Sequence, residues 1–238
     1  MNLLSTLAER IQEVDRRITA ACERSGRDRH DVNVVAVTKY VSLDNVREVV
    51  AHDVLHLGEN RWQNAKPKWE AFSGLPANEQ PVWHYIGSLQ SNKAKDVIGK
   101  FTYIHSLDRV SLAEAIADRA DKLGLVVPCF IQVNVSGEAS KQGLEPEELE
   151  PFIQTLKQFP SIKPIGLMTM APFEAEPEET RPVFRELRML RDRLNAQGIL
   201  DEPLTELSMG MSNDFEVAIE EGATWVRLGT ILVGKEEA

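Results

Sequence analysis

From residue 33 onward the chain repeats one pattern of apolar and polar positions. A short, nearly continuous apolar run is followed by a polar break, and then by apolar residues spaced three and four apart. Runs of the first kind predict strands covered on both faces. They fall at 33–40, 54–58, 82–87, 103–106, 127–135, 162–170, 204–208 and 225–228. The intervening segments read as helices over 43–51, 61–72, 90–99, 109–123, 147–159, 178–197 and 214–222. The clearest of these carries Val183, Leu187, Leu190 and Leu194 on one face. Ahead of the repeat, Leu4, Leu7, Ile11, Val14 and Ile18 make a single stripe, which predicts an amphipathic helix with Asn2 as its N-cap. Eight strand–helix units with short connections predict an α/β fold, a parallel (β/α)8 TIM barrel closed on itself. The open doubly wound sheet is the alternative. No linker, charge block or repeat divides the chain, so residues 1–238 are expected to form one domain; the acidic segment 174–179 reads as a surface loop and helix start.

Composition narrows the partners. The formal charge is −10, which opposes general nucleic-acid binding because phosphate contacts need a basic face. Cys22 and Cys129 are far apart and show no metal-ligand spacing, as expected of reduced thiols in a cytoplasmic protein. The first two dozen residues carry Glu9, Arg10, Glu13, Asp15, Arg16 and Arg17, which does not fit a signal peptide. No run reaches the ~20 apolar residues of a membrane span. No apolar helix face is left unexplained, so a monomer is expected.

In a closed parallel barrel the carboxyl ends of the strands carry the chemistry. The first run ends in Thr38, Lys39 and Tyr40. A lysine there either extends its ammonium to water or serves as a desolvated amine that forms an imine with an aldehyde. The seventh run ends in Ser208, Met209, Gly210, Met211 and Ser212; the eighth ends in Arg227, Leu228, Gly229 and Thr230. Glycines that let backbone approach a ligand, free N–H groups at the start of a following helix, and a planar cation together suggest a phosphate site. An ordinary turn beside a surface arginine is the alternative. An imine-forming amine and a phosphate cradle point to one aldehyde-bearing phosphate, either pyridoxal 5′-phosphate or a phosphosugar.

Seven segments carry a resemblance across nearly the whole chain. They are 36–39 (AVTK), 58–61 (GENR), 84–93 (HYIGSLQSNK), 136–143 (SGEASKQG), 166–170 (GLMTM), 208–214 (SMGMSND) and 227–230 (RLGT). In this order they resemble the pyridoxal phosphate homeostasis proteins of the YggS type, which share their barrel with the N-terminal domain of alanine racemase. Trp62, where the family often has a smaller residue, is a departure that leaves the site intact. The resemblance implies that Lys39 carries pyridoxal phosphate as an internal aldimine. It implies Asn60 near the phenolic edge, and Ser208, Met209, Gly210, Arg227, Gly229 and Thr230 around the phosphate, with Arg227 at either phosphate or ring nitrogen. His84, Met168 and Met170 wall the pocket or belong to the barrel core. Lys141 is either a transient second docking point or a solvated loop lysine. The expected role is a carrier that holds the vitamin B6 cofactor and supplies it to apoenzymes, with effects on amino-acid and keto-acid pools. A racemase would need a second acid/base opposite Lys39, a tyrosine from a second domain of a partner subunit, and no such domain is expected here. A weak amino-acid racemase and a cofactor-free aldolase using Lys39 are the competing readings.

Overall fold

A helix precedes the barrel, and its start is set by hydrogen-bonding chemistry. In the computed structural model, which describes residues 6–138, 142–172 and 174–234, α1 spans Leu7–Ser25. Thr6 caps it: the Thr6 hydroxyl accepts from the Glu9 amide and the Glu9 carboxylate accepts from the Thr6 amide, a reciprocal capping box. Asn2, the cap expected from the sequence, lies outside the described residues. Leu7, Val14, Ile18, Ala21 and Cys22 form the buried stripe.

The eight strands are β1 (Asn33–Val37), β2 (His56–Glu59), β3 (Val82–Tyr85), β4 (Tyr103–Leu107), β5 (Val127–Gln132), β6 (Ile162–Met168), β7 (Glu206–Ser208) and β8 (Trp225–Leu228). They are all parallel and close in sequence order, with β8 hydrogen-bonded back to β1. The open sheet is thereby excluded. Helices α2 (Leu43–Ala51), α3 (Trp62–Phe72), α4 (Ala94–Val97), α5 (Val110–Leu123), α6 (Leu149–Leu156), α7 (Arg181–Gln197) and α8 (Phe215–Glu220) follow the first seven strands. A short α9, Thr230–Val233, follows the eighth; the sequence reading had only a ligand loop there. The helix expected over 90–99 is reduced to a 3-10 turn at Ser91–Lys93 and one turn of α4. None of the described helices is long and apolar enough to cross a membrane.

Two apolar cores separate the layers. The large one lies between strands and helices; a small one inside the barrel joins Val35, Phe130, Met168 and Trp225. Strands lined on both sides this way are the near-continuous apolar runs seen in the sequence. Strand β1 is shorter than expected. It ends at Val37, so Lys39 stands in the turn that follows it and not on the strand. The α1 helix fastens α8 and α9: Arg10 donates to the Leu232 and Val233 carbonyls, Arg17 pairs with Glu216, and Arg24 pairs with Glu220.

Candidate functional site at the barrel mouth

Lys39 is half-buried, and its Nζ lies 4.9 Å from the ring centre of the exposed Tyr40. A turn is softer than a strand, yet this one is held from below. The Thr38 amide donates to the Gly58 carbonyl at 3.0 Å, and the Val41 amide closes back on the Thr38 carbonyl at 3.1 Å. The Thr38 hydroxyl donates to Glu59 Oε1 at 2.8 Å. Lys68, from α3, donates to the same oxygen at 2.8 Å and to the Thr38 carbonyl at 2.6 Å. Glu59 and Lys68 are both buried. A buried pair gains little net stability over apolar packing, but it binds its partners to one geometry. Here it clamps the residue next to Lys39. Glu59 Oε2 and Asn60 Oδ1, close by in sequence, are buried acceptors with no partner among the described residues. The sequence reading missed Lys68, although a signal was present: it shares a stripe with the buried Ala65 and Phe72.

Across the β1–β8 seam lies the second half of the site. Val35 pairs with Arg227 and Ala36 with Leu228, so the turn carrying Lys39 and the segment Gly229–Thr230 leave adjacent strand ends. The missing side chain of Gly229 would meet only Val37, at 3.8 Å. Arg227 is no surface arginine; its side chain is inside the barrel. Its Nη1 donates to Ser208 Oγ at 2.7 Å and its Nη2 to the Thr169 carbonyl at 3.0 Å. Burial pushes the Arg227 pKa down to about 10, opposed by the nearby Asp214 carboxylate, so it is a cation at neutral pH. Gly210 has φ +93°, and a Cβ there would stand 2.6 Å from Ala218 Cβ and 3.0 Å from Phe215 Cα. Only glycine lets this turn lie against α8.

One amide of the turn after β7 is not open to a ligand. The Asp214 carboxylate takes the Met211 amide at 2.6 Å, so that donor at the entry to α8 is already used. Ser212 Oγ accepts from the Gly229 amide at 3.3 Å and ties the two loops together. The amides of Gly210 and Thr230 have no acceptor among the described residues. Met209 packs its side chain into the outer core, which leaves only its backbone near the site.

His84 and Met168 sit deeper than the mouth. Met168 belongs to the core inside the barrel. His84 is fully buried, with both ring nitrogens engaged: Nε2 to His56 Nδ1 at 2.9 Å and Nδ1 to His105 Nε2 at 2.9 Å. His105 Nδ1 then meets Ser208 Oγ at 2.8 Å. Burial pushes all three imidazoles below the usual histidine range, His84 and His105 well below it. Neither His56 nor His105 was a site residue in the sequence reading. Each falls within an apolar run, where a histidine reads as a core residue. Lys141 lies outside the described residues. No cluster of His, Cys, Asp and Glu that could hold a metal occurs among the described residues.

Comparison with known proteins places this architecture. Residues 11–237 match the family described as alanine racemase, N-terminal domain. A pyridoxal phosphate homeostasis protein of Aquifex aeolicus is 45% identical over 229 residues, covering 96% of this chain and 98% of its own. One from Pseudomonas aeruginosa is 40% identical over 234 residues, covering 98% of this chain and 97% of its own. Among solved structures, PipY of Synechococcus elongatus with PLP bound is similar at a TM-score of 0.82 and 35% identity, over 96% of this chain and 100% of its own. Alanine racemase of Clostridium difficile shares the fold, at a TM-score of 0.72 and 17% identity, over 99% of this chain and 58% of its own.

Proposed function

Since the chain belongs to the pyridoxal phosphate homeostasis proteins, we propose that it binds pyridoxal 5′-phosphate at the barrel mouth and acts as a carrier or buffer of that cofactor. The observation that carries this is the β1–β8 seam, which brings an amine and a glycine-lined, arginine-backed loop pair to neighbouring strand ends. The donor set fits the ligand. Lys39 is the amine that would hold its aldehyde carbon. The unengaged Gly210 and Thr230 amides, with the open backbone at Gly229, suit a phosphate. The unpartnered Asn60 Oδ1 suits a ring hydroxyl. Ser208 and Arg227 bring a hydroxyl and a fixed cation to the ring or phosphate side. When bound, pyridoxal phosphate supplies a reactive carbonyl and an electron sink; the protein supplies binding, orientation and proton-transfer groups.

A carrier is favoured over a racemase by where the tyrosines lie. Tyr85 packs outward, edge-on to Phe101, and Tyr103 stacks inside the barrel on His84, so neither reaches the mouth. Tyr40 is on the rim, exposed to solvent. Adding pyridoxal phosphate to the purified protein is expected to give a yellow imine band. Borohydride should then fix a mass adduct that peptide mapping assigns to Lys39, and Lys39→Ala should lose both. Protein that stays colourless, or an adduct confined to other lysines, overturns the assignment. Rapid deuterium uptake at the α-carbon of L-amino acids would instead favour a racemase.

A further inference from the structure

Inside the barrel, below the proposed binding site, side chains from β2, β3, β4, β7 and β8 form one unbroken hydrogen-bond chain. It runs from Arg227 to Ser208, His105, His84 and His56. Two of its contacts join ring nitrogen to ring nitrogen, at 2.9 Å each. Such a contact holds only when one nitrogen carries a hydrogen and the other does not. His84 and His105 are fully buried, and burial favours their neutral forms. A neutral imidazole has one N–H, so the tautomer of His84 dictates those of both neighbours. Two neutral patterns satisfy the chain: every ring protonated on Nε2, or every ring protonated on Nδ1.

The Ser208 hydroxyl distinguishes the two. It accepts from Arg227. With all rings protonated on Nε2, it also donates to His105 Nδ1, and each donor along the chain meets an acceptor. With all rings on Nδ1, it accepts from His105 as well, and its own hydrogen needs a different acceptor. Ring rotation does not offer an easy exchange between patterns, because aromatic neighbours confine the rings. His84 stacks on Tyr103 with centroids 4.6 Å apart, and His105 stacks on Phe130 at 4.2 Å. His56 stands edge-on to Trp225 at 5.1 Å. At the far end, His56 is only half-buried, and it is among the residues lining a cavity of about 250 Å³ between α1 and the starts of β1 and β2, with Asn33, Asp53 and the ion-paired Asp15 and Arg29 beside the apolar Ile11 and Val14.

We propose that Ser208, His105, His84 and His56 form a proton relay between the Arg227 end of the binding site and the cavity beside the start of β2. In one passage the Ser208 hydroxyl proton moves to His105 Nδ1. The His105 Nε2 proton moves to His84 Nδ1, the His84 Nε2 proton to His56 Nδ1, and the His56 Nε2 proton leaves to water in the cavity. Water at the mouth then reprotonates Ser208 and is left as hydroxide. One proton has crossed the barrel, and all three rings have changed tautomer. The reverse passage delivers a proton from the cavity to the mouth. The chain itself rests on the ring contacts and the burial of the rings; its service to a bound pyridoxal phosphate rests on the function proposed above.

Nitrogen-15 NMR of the ligand-free protein tests the first part. All three rings should be neutral at pH 7 and share the Nε2–H tautomer; a mixed set, or a charged ring among them, overturns the relay. Hydrogen exchange tests the transfer. His56→Asn keeps an amide oxygen to accept from His84 but cannot pass a proton on, and His56→Phe removes both abilities. The buried His105 ring proton should exchange with deuterium about a hundredfold more slowly in both variants. Wild-type exchange in His56→Asn would mean that the chain is only structural. Should either variant fail to fold, the tautomers of the wild-type protein still decide the first part. Pyridoxal phosphate is then added, and the three rings should keep a common tautomer; divergence overturns the relay, whereas absence of binding overturns only the proposed function.

Discussion

At the scale of single residues, three buried polar groups do more for the mouth than the sequence suggests. Lys39 draws the eye because it follows an apolar run, but Lys68, Glu59 and Thr38 fix its position. Lys68→Met leaves the Glu59 carboxylate buried without its cation, and urea unfolding should show a loss of about 3–5 kcal/mol. Adding Glu59→Gln should recover much of it, since the penalty belongs to the stranded charge. The histidine chain has a consequence in acid. Burial lowers the pKa of His84 and His105, and to a lesser degree that of His56, relative to the unfolded chain. Below about pH 6.5 the unfolded chain therefore takes up more protons than the folded one, and stability falls with pH. Each fully buried ring contributes up to about 1.4 kcal/mol per pH unit, down to its folded pKa. Asp214, raised by burial, acts in the opposite sense above its unfolded value. Denaturant midpoints at pH 7, 6 and 5 should drop steadily; a flat profile would mean that the rings are charged in the folded state.

At the scale of elements, the site depends on how strands end and on what packs behind the turns. The turn from β7 into α8 passes through Gly210 in a conformation that side chains rarely adopt, against Ala218 and Phe215. Gly210→Ala should cost about 1–3 kcal/mol of stability, and it should weaken inorganic phosphate or pyridoxal phosphate binding because the backbone must shift. Equal stability and equal affinity in that variant would show that the turn adapts freely. The same region holds two details that the sequence pattern does not show. In the turn before α8, Asp214 folds back onto the Met211 amide. Gly229 and Thr230 looked like loop, but Thr230 begins a further helical turn that α1 fastens through Arg10. The first is a side-chain choice within the turn and the second a contact from the far end of the chain, and periodicity records neither.

At the scale of the whole molecule, closure of the barrel is what assembles the candidate site, because Lys39 and Gly229 are some 190 residues apart in the chain and are brought to neighbouring strand ends only where β8 pairs with β1. A ligand that bridges this seam binds the folded state alone. At a hundredfold excess over its Kd it should add about 2.7 kcal/mol. In a domain of this size that is a rise of about 5–10 °C in Tm. The rise should shrink in Lys39→Ala, and an unchanged rise would place the ligand elsewhere. The sequence alone determined the alternation of strand and helix, the parallel closed architecture, the family, and the strand ends at which the candidate amine and anion groups lie. These follow from local periodicity and from motifs contiguous in the chain. The tertiary structure alone decided that Arg227 is buried, that Lys68 clamps the Lys39 turn, and that three histidines from three strands join end to end. Such contacts depend on register across the barrel, and each residue type taken singly is compatible with many partners until the strands close and remove the water that would otherwise satisfy it.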